Sequence, residues 1–227
     1  MSIAGGRVLQ VLQALEIVGL VAFALSSVFI GIEYELDLFG IFFIALCTSL
    51  GGGVIRDIVL GTEPPLMFLH YEYVLTVLVT VAVSLIVFKI LDKKLNKKAI
   101  RIIKRVVDVF DAIGLGVFTV SGCQTAVNVG MGDNFILMIF VGMITAVGGG
   151  ILRDLLSGRK PVVVRREIYA LASIGGTVLF FFIHDKMPEA AAMYLTAGLI
   201  TAVRVVASFR RITLSYALRN DELKTQD

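Results

Sequence analysis

One short motif occurs twice in this sequence, and this repetition restricts the fold more than any other feature. Residues 51–57 read GGGVIRD and residues 148–154 read GGGILRD, an offset of 97 positions. The match begins at Thr48 and Thr145 and continues beyond the motif without a gap. Because self-similarity at a fixed offset indicates a duplicated structural unit, the sequence predicts two homologous halves.

A second matched patch lies nearer the start of each half, at an offset of 95 positions. It places two acidic residues, Glu16 and Asp111, at equivalent positions. Three pairs of identical residues accompany them: Gly19 with Gly114, Phe23 with Phe118, and Ser26 with Ser121. A difference of two residues in the intervening loop reconciles the two offsets, so both patches belong to one duplication.

The composition is that of a membrane protein. Of the 227 residues, 57% are hydrophobic and 17% are charged, whereas soluble domains are about 25% charged. An apolar helix crosses the hydrocarbon core in roughly 20 residues, and continuous apolar runs exclude the alternating strands of an outer-membrane barrel. The sequence therefore predicts an all-α polytopic membrane protein with seven transmembrane helices. They lie at about Leu9–Ile32, Asp37–Leu60, Tyr73–Leu91, Val106–Val127, Phe135–Leu156, Ile168–Ile183 and Ala190–Ala207.

The number of helices in each half predicts how the halves are related. The predicted division is a first three-helix repeat over 9–91, a basic cytoplasmic loop over 92–105, a second three-helix repeat over 106–184, a seventh helix over 188–207 and a cytoplasmic tail over 208–227. Because three is odd, the second copy enters the membrane from the opposite face, and the repeats are inverted. Inverted repeats are typical of transporters and some channels, whose functional path lies between the halves.

The distribution of basic residues predicts the orientation. Lys and Arg are retained on the cytoplasmic side, and seven helices place 18 of the 21 basic residues on one side. The N-terminus is therefore predicted to lie outside and the C-terminus in the cytoplasm. We interpret the cluster of Lys93, Lys94, Lys97 and Lys98 as this topology signal, with binding of anionic lipid headgroups as the alternative.

Two glycine triplets lie inside predicted helices, at Gly51, Gly52, Gly53, Gly148, Gly149 and Gly150. Each glycine costs about 1 kcal/mol relative to alanine in an exposed helix interior. One interpretation is a helix break that turns backbone carbonyls toward an ion path. The alternative is close packing, since small residues let helices approach each other in lipid. Two triplets at equivalent positions, each followed by Arg-Asp, favour the break beside an ion path.

Charged residues near the helix ends predict two polar mouths. They are Glu16, Arg56 and Asp57 near the outer mouth, and Asp111, Arg153 and Asp154 near the inner mouth. Because ionisable residues within spans usually face the bundle interior, each mouth is predicted to have an acid from one helix facing an arginine from another. The alternative is that the arginines extend to the headgroups while the aspartates cap short helices.

Hydroxyl groups inside the predicted helices are candidates to line a hydrophilic path. They are Ser26, Ser27, Thr48, Ser121 and Thr145. The alternative is that each hydroxyl bonds only to the backbone of its own helix. No catalytic triad and no phosphate-binding loop is present in the sequence. We therefore expect no enzyme activity, no cofactor, no resident metal and no nucleic-acid partner.

At the doubled Gly-Gly-Gly-x-x-Arg-Asp motif, the sequence resembles the trimeric intracellular cation (TRIC) channels and their bacterial and archaeal relatives, a group also labelled glycine transporter. The resemblance covers nearly the whole chain. It implies a seven-helix fold, a homotrimer and a pore within each protomer, bordered by glycine-kinked second and fifth helices. It also implies passage of potassium and, less selectively, of sodium, and a location in a prokaryotic plasma membrane.

Three function classes follow from these observations. A monovalent cation channel is favoured, a secondary transporter for a small zwitterion such as glycine is the main alternative, and a non-conducting membrane scaffold is the third. A coupled transporter usually has an unpaired acid near the midplane. The acids here lie toward the helix ends, on the same side as the arginines, and this arrangement favours a channel.

Overall fold

The chain folds into a bundle of long helices. The computed structural model describes residues 3–91, 97–164 and 167–210. The long helices in these residues are α1 (Ile3–Glu33), α2 (Leu38–Val59), α3 (Tyr71–Leu91), α4 (Lys97–Asn128), α5 (Phe135–Leu156), α6 (Glu167–Ile183) and α7 (Glu189–Arg210). A one-turn helix, Leu66–Leu69, precedes α3, and a 3-10 turn, Val162–Val164, precedes α6.

Among the described residues, six helices are long and apolar enough to cross a membrane, and α6 is a shorter apolar helix of 17 residues. α6 still extends between both ends of α5. Near its start, Tyr169 Oη lies 2.8 Å from the position that a Cβ on Gly150 would take. Near its end, the ring of Phe181 packs against Phe135, with centroids 5.0 Å apart. The protein is thus all-helical, with six apolar spans and one shorter helix.

The predicted and observed helices differ most at α4. This helix begins at Lys97, nine residues before the predicted start at Val106. Apolar residues recur at helical spacing among the basic residues of 97–105, so the helix continues through them. Part of the predicted basic loop is therefore helical. The rest of that loop, residues 92–96, and residues 211–227 of the predicted tail lie outside the described residues.

Equivalent residues begin and end the second helix of each half. The side chains of Asp37 and Asn134 accept a backbone N–H from the first turn of α2 and α5, at 2.6 and 3.0 Å. These bonds satisfy donors that have no partner within the helix. Just beyond the other end of each helix, Gly61 and Gly158 have φ angles of +69° and +72°. Glycine adopts this left-handed conformation without a steric penalty, so both helices end there.

Helices α1 and α4 run along each other in opposite directions. Ser121 Oγ donates to Glu16 Oε1 at 2.6 Å, whereas Arg153 links Ser26 to Asp111. Moving from residue 16 to residue 26 along α1 therefore corresponds to moving from 121 to 111 along α4. The two halves run antiparallel, and their equivalent residues lie at opposite ends of the bundle.

The centre of the bundle is formed by α1, α2, α4 and α5. The rings of Phe23 and Phe118, which are equivalent in the repeat, meet there with centroids 5.0 Å apart. α3 packs against α1 and α2, and α6 packs against α4 and α5. α7 has no counterpart in the repeat, and it packs against α4 and α6.

Candidate functional site

Helices α2 and α5 cross at the glycine triplets. A Cβ on Gly52 would overlap the carbonyl oxygen of Thr145, and a Cβ on Gly149 would overlap the carbonyl oxygen of Thr48. The two backbones therefore touch with no side chain between them, as small residues permit in membrane bundles. We name this contact between Gly52, Gly149, Thr48 and Thr145 the glycine crossing.

Both helices are continuous through their triplets. Neither helix is interrupted at its triplet, and the alternative of close packing accounts for the two central glycines, whereas a kink of the helix axes there stays a prediction. The reason is that each glycine makes room for a carbonyl group of the other helix, and this contact offsets the low helix propensity of glycine.

The remaining glycines of the triplets have unequal surroundings. A Cβ on Gly51 would overlap a leucine of α5, and one on Gly150 would lie 2.8 Å from Tyr169 Oη. Gly53 and Gly148 have more space, since the nearest atoms would be 3.8 and 3.4 Å away. Close packing therefore does not account equally for all six, and their place beside an ion path stays a prediction.

The first charged cluster lies at one end of the bundle, and we name it the Arg56 cluster. It consists of Glu16, Arg56, Asp57, Tyr73 and Ser121, all of which are buried. Arg56 Nη1 donates to Glu16 Oε1 at 2.9 Å and to Ser121 Oγ at 2.7 Å, and Arg56 Nε donates to Asp57 Oδ1 at 2.8 Å. Tyr73 Oη donates to Glu16 Oε2 at 2.6 Å. The cluster thus joins α1, α2, α3 and α4.

The second charged cluster, the Arg153 cluster, repeats this arrangement at the other end. It consists of Ser26, Asp111, Arg153 and Asp154, which are also buried. Arg153 Nη1 donates to Asp111 Oδ1 at 2.8 Å and to Ser26 Oγ at 2.5 Å, and Arg153 Nε donates to Asp154 Oδ1 at 3.1 Å. In both clusters the structure brings together an acid of one helix and an arginine of another, and a serine comes from the opposite half.

The aspartate of each Arg-Asp pair also holds the loop that follows its helix. The second carboxylate oxygen of Asp57 accepts the backbone N–H of Leu66 at 2.8 Å, and that of Asp154 accepts the N–H of Val162 at 2.9 Å. Arg56 and the equivalent arginine are only 3% and 1% exposed. These side chains therefore turn into the bundle and do not extend toward headgroups.

Each cluster contains one guanidinium and two carboxylates, a formal charge of −1 when all three are ionised. Burying charges is unfavourable unless they are paired and hydrogen-bonded, as they are in both clusters. Because charges interact more strongly where water is excluded, the excess carboxylate of a cluster can attract a cation.

Three side chains at these clusters were missed by sequence reasoning. Tyr73 and Tyr169 are equivalent at an offset of 96, and extending the repeat past the loop would have found them. Arg204 is the only charged residue of the predicted seventh span. The Tyr169 hydroxyl has no hydrogen-bond partner in the described part of the chain, unlike that of Tyr73. Arg204 Cζ lies 4.7 Å from the centroid of the Tyr169 ring.

The predicted path-lining hydroxyls fall into two groups. Ser26 and Ser121 bind the arginines of the clusters. Ser27, Thr48 and Thr145 are buried and donate to a carbonyl one turn earlier in their own helix, at 2.8, 2.5 and 2.6 Å. The second group therefore makes the bonds of the alternative interpretation, and the lining of a path stays a prediction for all five.

A cavity of about 30 Å³ adjoins the Arg56 cluster. Its walls include Glu16, Arg56 and Asp57, together with Gly53 of the first triplet and Met67 of the one-turn helix. A space of this size holds about two water molecules. The cavity therefore places polar and charged groups of α1 and α2 around a small space at one end of the bundle.

Apolar side chains fill the section between the two clusters. The Phe118 ring lies 3.0 Å from the position that a Cβ on Gly19 would take, and the Phe23 ring occupies the equivalent space at Gly114. Phe23 also lies 3.1 Å from the position of a Cβ on Gly149 in the glycine crossing. In this conformation, the two phenylalanines and the glycine crossing separate the charged ends.

The sequence matches the family described as glycine transporter over residues 13–89 and 108–185. It is 34% identical over 167 residues to a UPF0126 membrane protein of Deinococcus radiodurans, and the match covers 73% of each chain. It is also 34% identical over 168 residues to a UPF0126 membrane protein of Bacillus subtilis, covering 74% of this chain and 78% of the relative.

Solved structures of TRIC channels have a similar fold. The match to the trimeric intracellular cation channel orthologue from Rhodobacter sphaeroides has a TM-score of 0.78 at 30% identity, over 89% of this chain and 99% of that chain. The match to a prokaryotic TRIC channel crystallised in 0.5 M KCl has a TM-score of 0.79 at 28% identity, over 89% and 98% of the two chains. A channel of the same description from C. elegans, at 12% identity and a TM-score of 0.59, shares the fold alone.

Proposed function

This chain belongs to the glycine transporter family, which includes the prokaryotic TRIC channels, and we propose that it is a monovalent cation channel. We further propose that it conducts potassium and, less selectively, sodium, and that it is a homotrimer with a pore in each protomer. The structural relatives are described as trimeric cation channels, which supports these proposals and argues against an enzyme. The protein is a multi-pass protein of the cell membrane, like its curated relatives.

The pair of charged clusters is the observation that carries the proposal. They are built from equivalent residues and lie at opposite ends of two antiparallel halves. A channel has two mouths, and inverted repeats provide two equivalent ends around one path. Each cluster taken by itself has one more carboxylate than guanidinium, an excess that attracts cations and repels anions.

The proposed path runs between the halves, past the glycine crossing of α2 and α5. In the described conformation it is occluded, because Phe23 and Phe118 meet between the clusters. We expect conduction to require that these rings separate and that the arginines exchange some of their protein partners for water or for the passing ion. A site that binds cations through side chains able to exchange partners lets them enter and leave.

The cavity beside the Arg56 cluster favours a second candidate, a transporter for a small zwitterion such as glycine. Arg56 and Glu16 provide opposite charges at the wall of this cavity, as a carboxylate and an ammonium group would require. The cavity holds only about two water molecules, and both charged groups are already paired with each other. Binding of a zwitterion would therefore need a larger rearrangement than entry of a single ion.

The orientation is also part of the proposal. We place the N-terminus and the Arg56 cluster outside, and the Arg153 cluster toward the cytoplasm, from the distribution of basic residues. The proposed division into repeats at 9–91 and 106–184 follows the same topology.

The basic residues from Lys93 to Lys98, which face the cytoplasm in this orientation, would also meet anionic lipid headgroups. A cysteine at Asp133 should then react with an impermeant thiol reagent added outside intact cells, and protection of that cysteine would reverse the orientation.

Flux into proteoliposomes tests the channel against the transporter. Purified wild-type protein should admit potassium down its gradient, with little dependence on glycine. Vesicles without protein are the control for leak. Glycine uptake that saturates and needs an ion gradient, without potassium flux in the absence of glycine, would replace the channel with the transporter.

A further inference from the structure

The seventh helix adds a buried charge to only one end of the bundle. Arg204 of α7 is 1% exposed, and its guanidinium lies over the ring of Tyr169, with Cζ 4.7 Å from the ring centroid. Its Nε and Nη2 atoms have no hydrogen-bond partner among the described residues. Since α7 lies outside the repeat, the Arg56 cluster has no equivalent arginine from the duplication.

Tyr169 connects this arginine to the Arg153 cluster. Its hydroxyl and the Oδ1 atom of Asp111 lie 2.8 and 3.7 Å from the same point, the position that a Cβ on Gly150 would take. The equivalent hydroxyl at the other end, that of Tyr73, is bonded to Glu16 at 2.6 Å. Arg204 therefore stands one aromatic ring away from the buried acids of the Arg153 cluster.

This extra charge makes the two ends electrically different. The Arg56 cluster has two carboxylates and one guanidinium, a formal charge of −1. The Arg153 cluster has the same charges, and Arg204 brings the sum over this cluster and its own guanidinium to zero. Arg159, which lies 3.9 Å from Asp154, adds further positive charge at the same end.

We propose that Arg204 makes conduction directional by cancelling the net negative charge of the Arg153 cluster. Cations then collect mainly at the Arg56 end, and current carried by cations entering there exceeds current in the reverse direction. A buried charge acts strongly because little water screens it. The inference rests on the proposed channel function and adds a determinant of rectification to it.

A role in stability alone does not explain this residue. A buried cation whose donors lack partners is unfavourable, and replacing Arg204 breaks no hydrogen bond from its Nε or Nη2 atoms to the described residues. Arg204→Met is therefore expected to keep the thermal stability of the wild type. A rectification change without a loss of stability separates the electrostatic role from a structural one.

Current–voltage curves of single channels in symmetric KCl test the proposal. We define the current ratio as the current of cations entering at the Arg56 end divided by the current in the reverse direction. This ratio should fall by about a factor of two in Arg204→Gln and Arg204→Met, because one charge at a mouth changes the local cation concentration severalfold. Arg204→Lys keeps the charge and should keep the wild-type ratio. Arg210→Gln is the matched control, since Arg210 ends the same helix and is exposed, and its ratio should change little.

The outcomes distinguish this inference from the proposed function. An unchanged ratio in Arg204→Gln and Arg204→Met overturns the inference while the channel stands, and so does a ratio in Arg204→Lys that falls as far as in the Gln variant. If Arg204→Gln and Arg204→Met do not assemble, the current ratios of Arg204→Lys and Arg210→Gln are compared instead. A wild-type ratio in Arg204→Lys then supports the inference, and a reduced ratio overturns it. Absence of current in the wild type would overturn the channel itself.

Discussion

The glycine crossing and the two charged clusters hold the same helices together by opposite means. At the crossing, α2 and α5 touch through backbone atoms, and a side chain on Gly52 or Gly149 would overlap a carbonyl group. In the clusters, helices are joined by long side chains through charged hydrogen bonds, such as that between Arg56 and Glu16. The crossing depends on the absence of a Cβ, and the clusters depend on a balance of charge.

This difference indicates which parts of the proposed path can change. A contact between two backbones has one geometry, and widening it would leave a void between the helices. Hydrogen-bonded side chains can exchange their partners for water at little enthalpic cost. We therefore expect the crossing to stay fixed while the clusters rearrange during conduction.

The largest effect is expected from removing the arginine of one cluster. Arg153→Ala leaves Asp111 and Asp154 buried without their cation, and we expect a loss of about 3–5 kcal/mol in the free energy of unfolding. The measurement is reversible unfolding of the purified protein in detergent. Arg159→Ala is the matched control, because Arg159 contacts the same Asp154 from a partly exposed position and should cost at most about 1 kcal/mol. Equal losses in the two variants would remove the distinction between buried and exposed pairs.

A double-mutant cycle sharpens this prediction. In Arg153→Ala with Asp111→Ala, one of the uncompensated carboxylates is also removed, so part of the lost stability should return. Strictly additive losses would show that the two side chains do not interact, despite the 2.8 Å between them.

An intermediate effect is expected at the glycine crossing. Gly52→Ala places a methyl group against the Thr145 carbonyl, and overpacking of this kind costs about 1–3 kcal/mol. Gly53→Ala is the matched control in the next position, where the nearest atom would be 3.8 Å away. For each of the two variants, we would measure the thermal stability and the fraction of protein that has the native oligomer size. Similar behaviour of the two variants would argue against a backbone contact confined to the central glycine.

The smallest effect is expected at the two equivalent tyrosines. Tyr73→Phe removes a hydrogen bond to the Glu16 carboxylate and should cost about 1.5 kcal/mol, the lower end for a bond to a charged group, since Glu16 keeps its other partners. Tyr169→Phe removes a hydroxyl without a partner in the described structure and should change stability little. Thermal unfolding of both variants tests the difference. A larger loss of stability in Tyr169→Phe than in Tyr73→Phe would contradict the assignment of a bonded hydroxyl to Tyr73 and an unbonded one to Tyr169.

The fold followed largely from the sequence because its main determinants are local. Continuous apolar runs located the helices, and residues Phe135–Leu156 were predicted with the observed bounds. The pairing of Arg56 with Glu16 also followed, since helix direction and depth place both near one end. The early start of α4 was missed because the basic residues of 97–105 interrupt the apolar run without interrupting the helix.

The close packing at the glycines could not be inferred from the sequence for a different reason. The sequence shows that Gly52 has a low helix propensity. It does not show that Gly52 packs against the backbone carbonyl of Thr145 in the other half. Only the folded arrangement brings that carbonyl to the glycine. The ring contact between Arg204 and Tyr169 likewise joins helices that are distant in sequence, and α7 has no repeat copy from which the contact could be inferred.

Single-channel recording across a KCl gradient tests the central claim most directly, that cations pass through the protomer by way of the charged ends. Wild-type protein should give discrete current steps that reverse near the equilibrium potential of potassium. Met67→Lys places a cation at the wall of the cavity beside the Arg56 cluster and should reduce the step size, while Met67→Gln should leave it nearly unchanged. Absence of steps, reversal near the chloride potential, or equal steps in Met67→Lys and Met67→Gln would contradict the account.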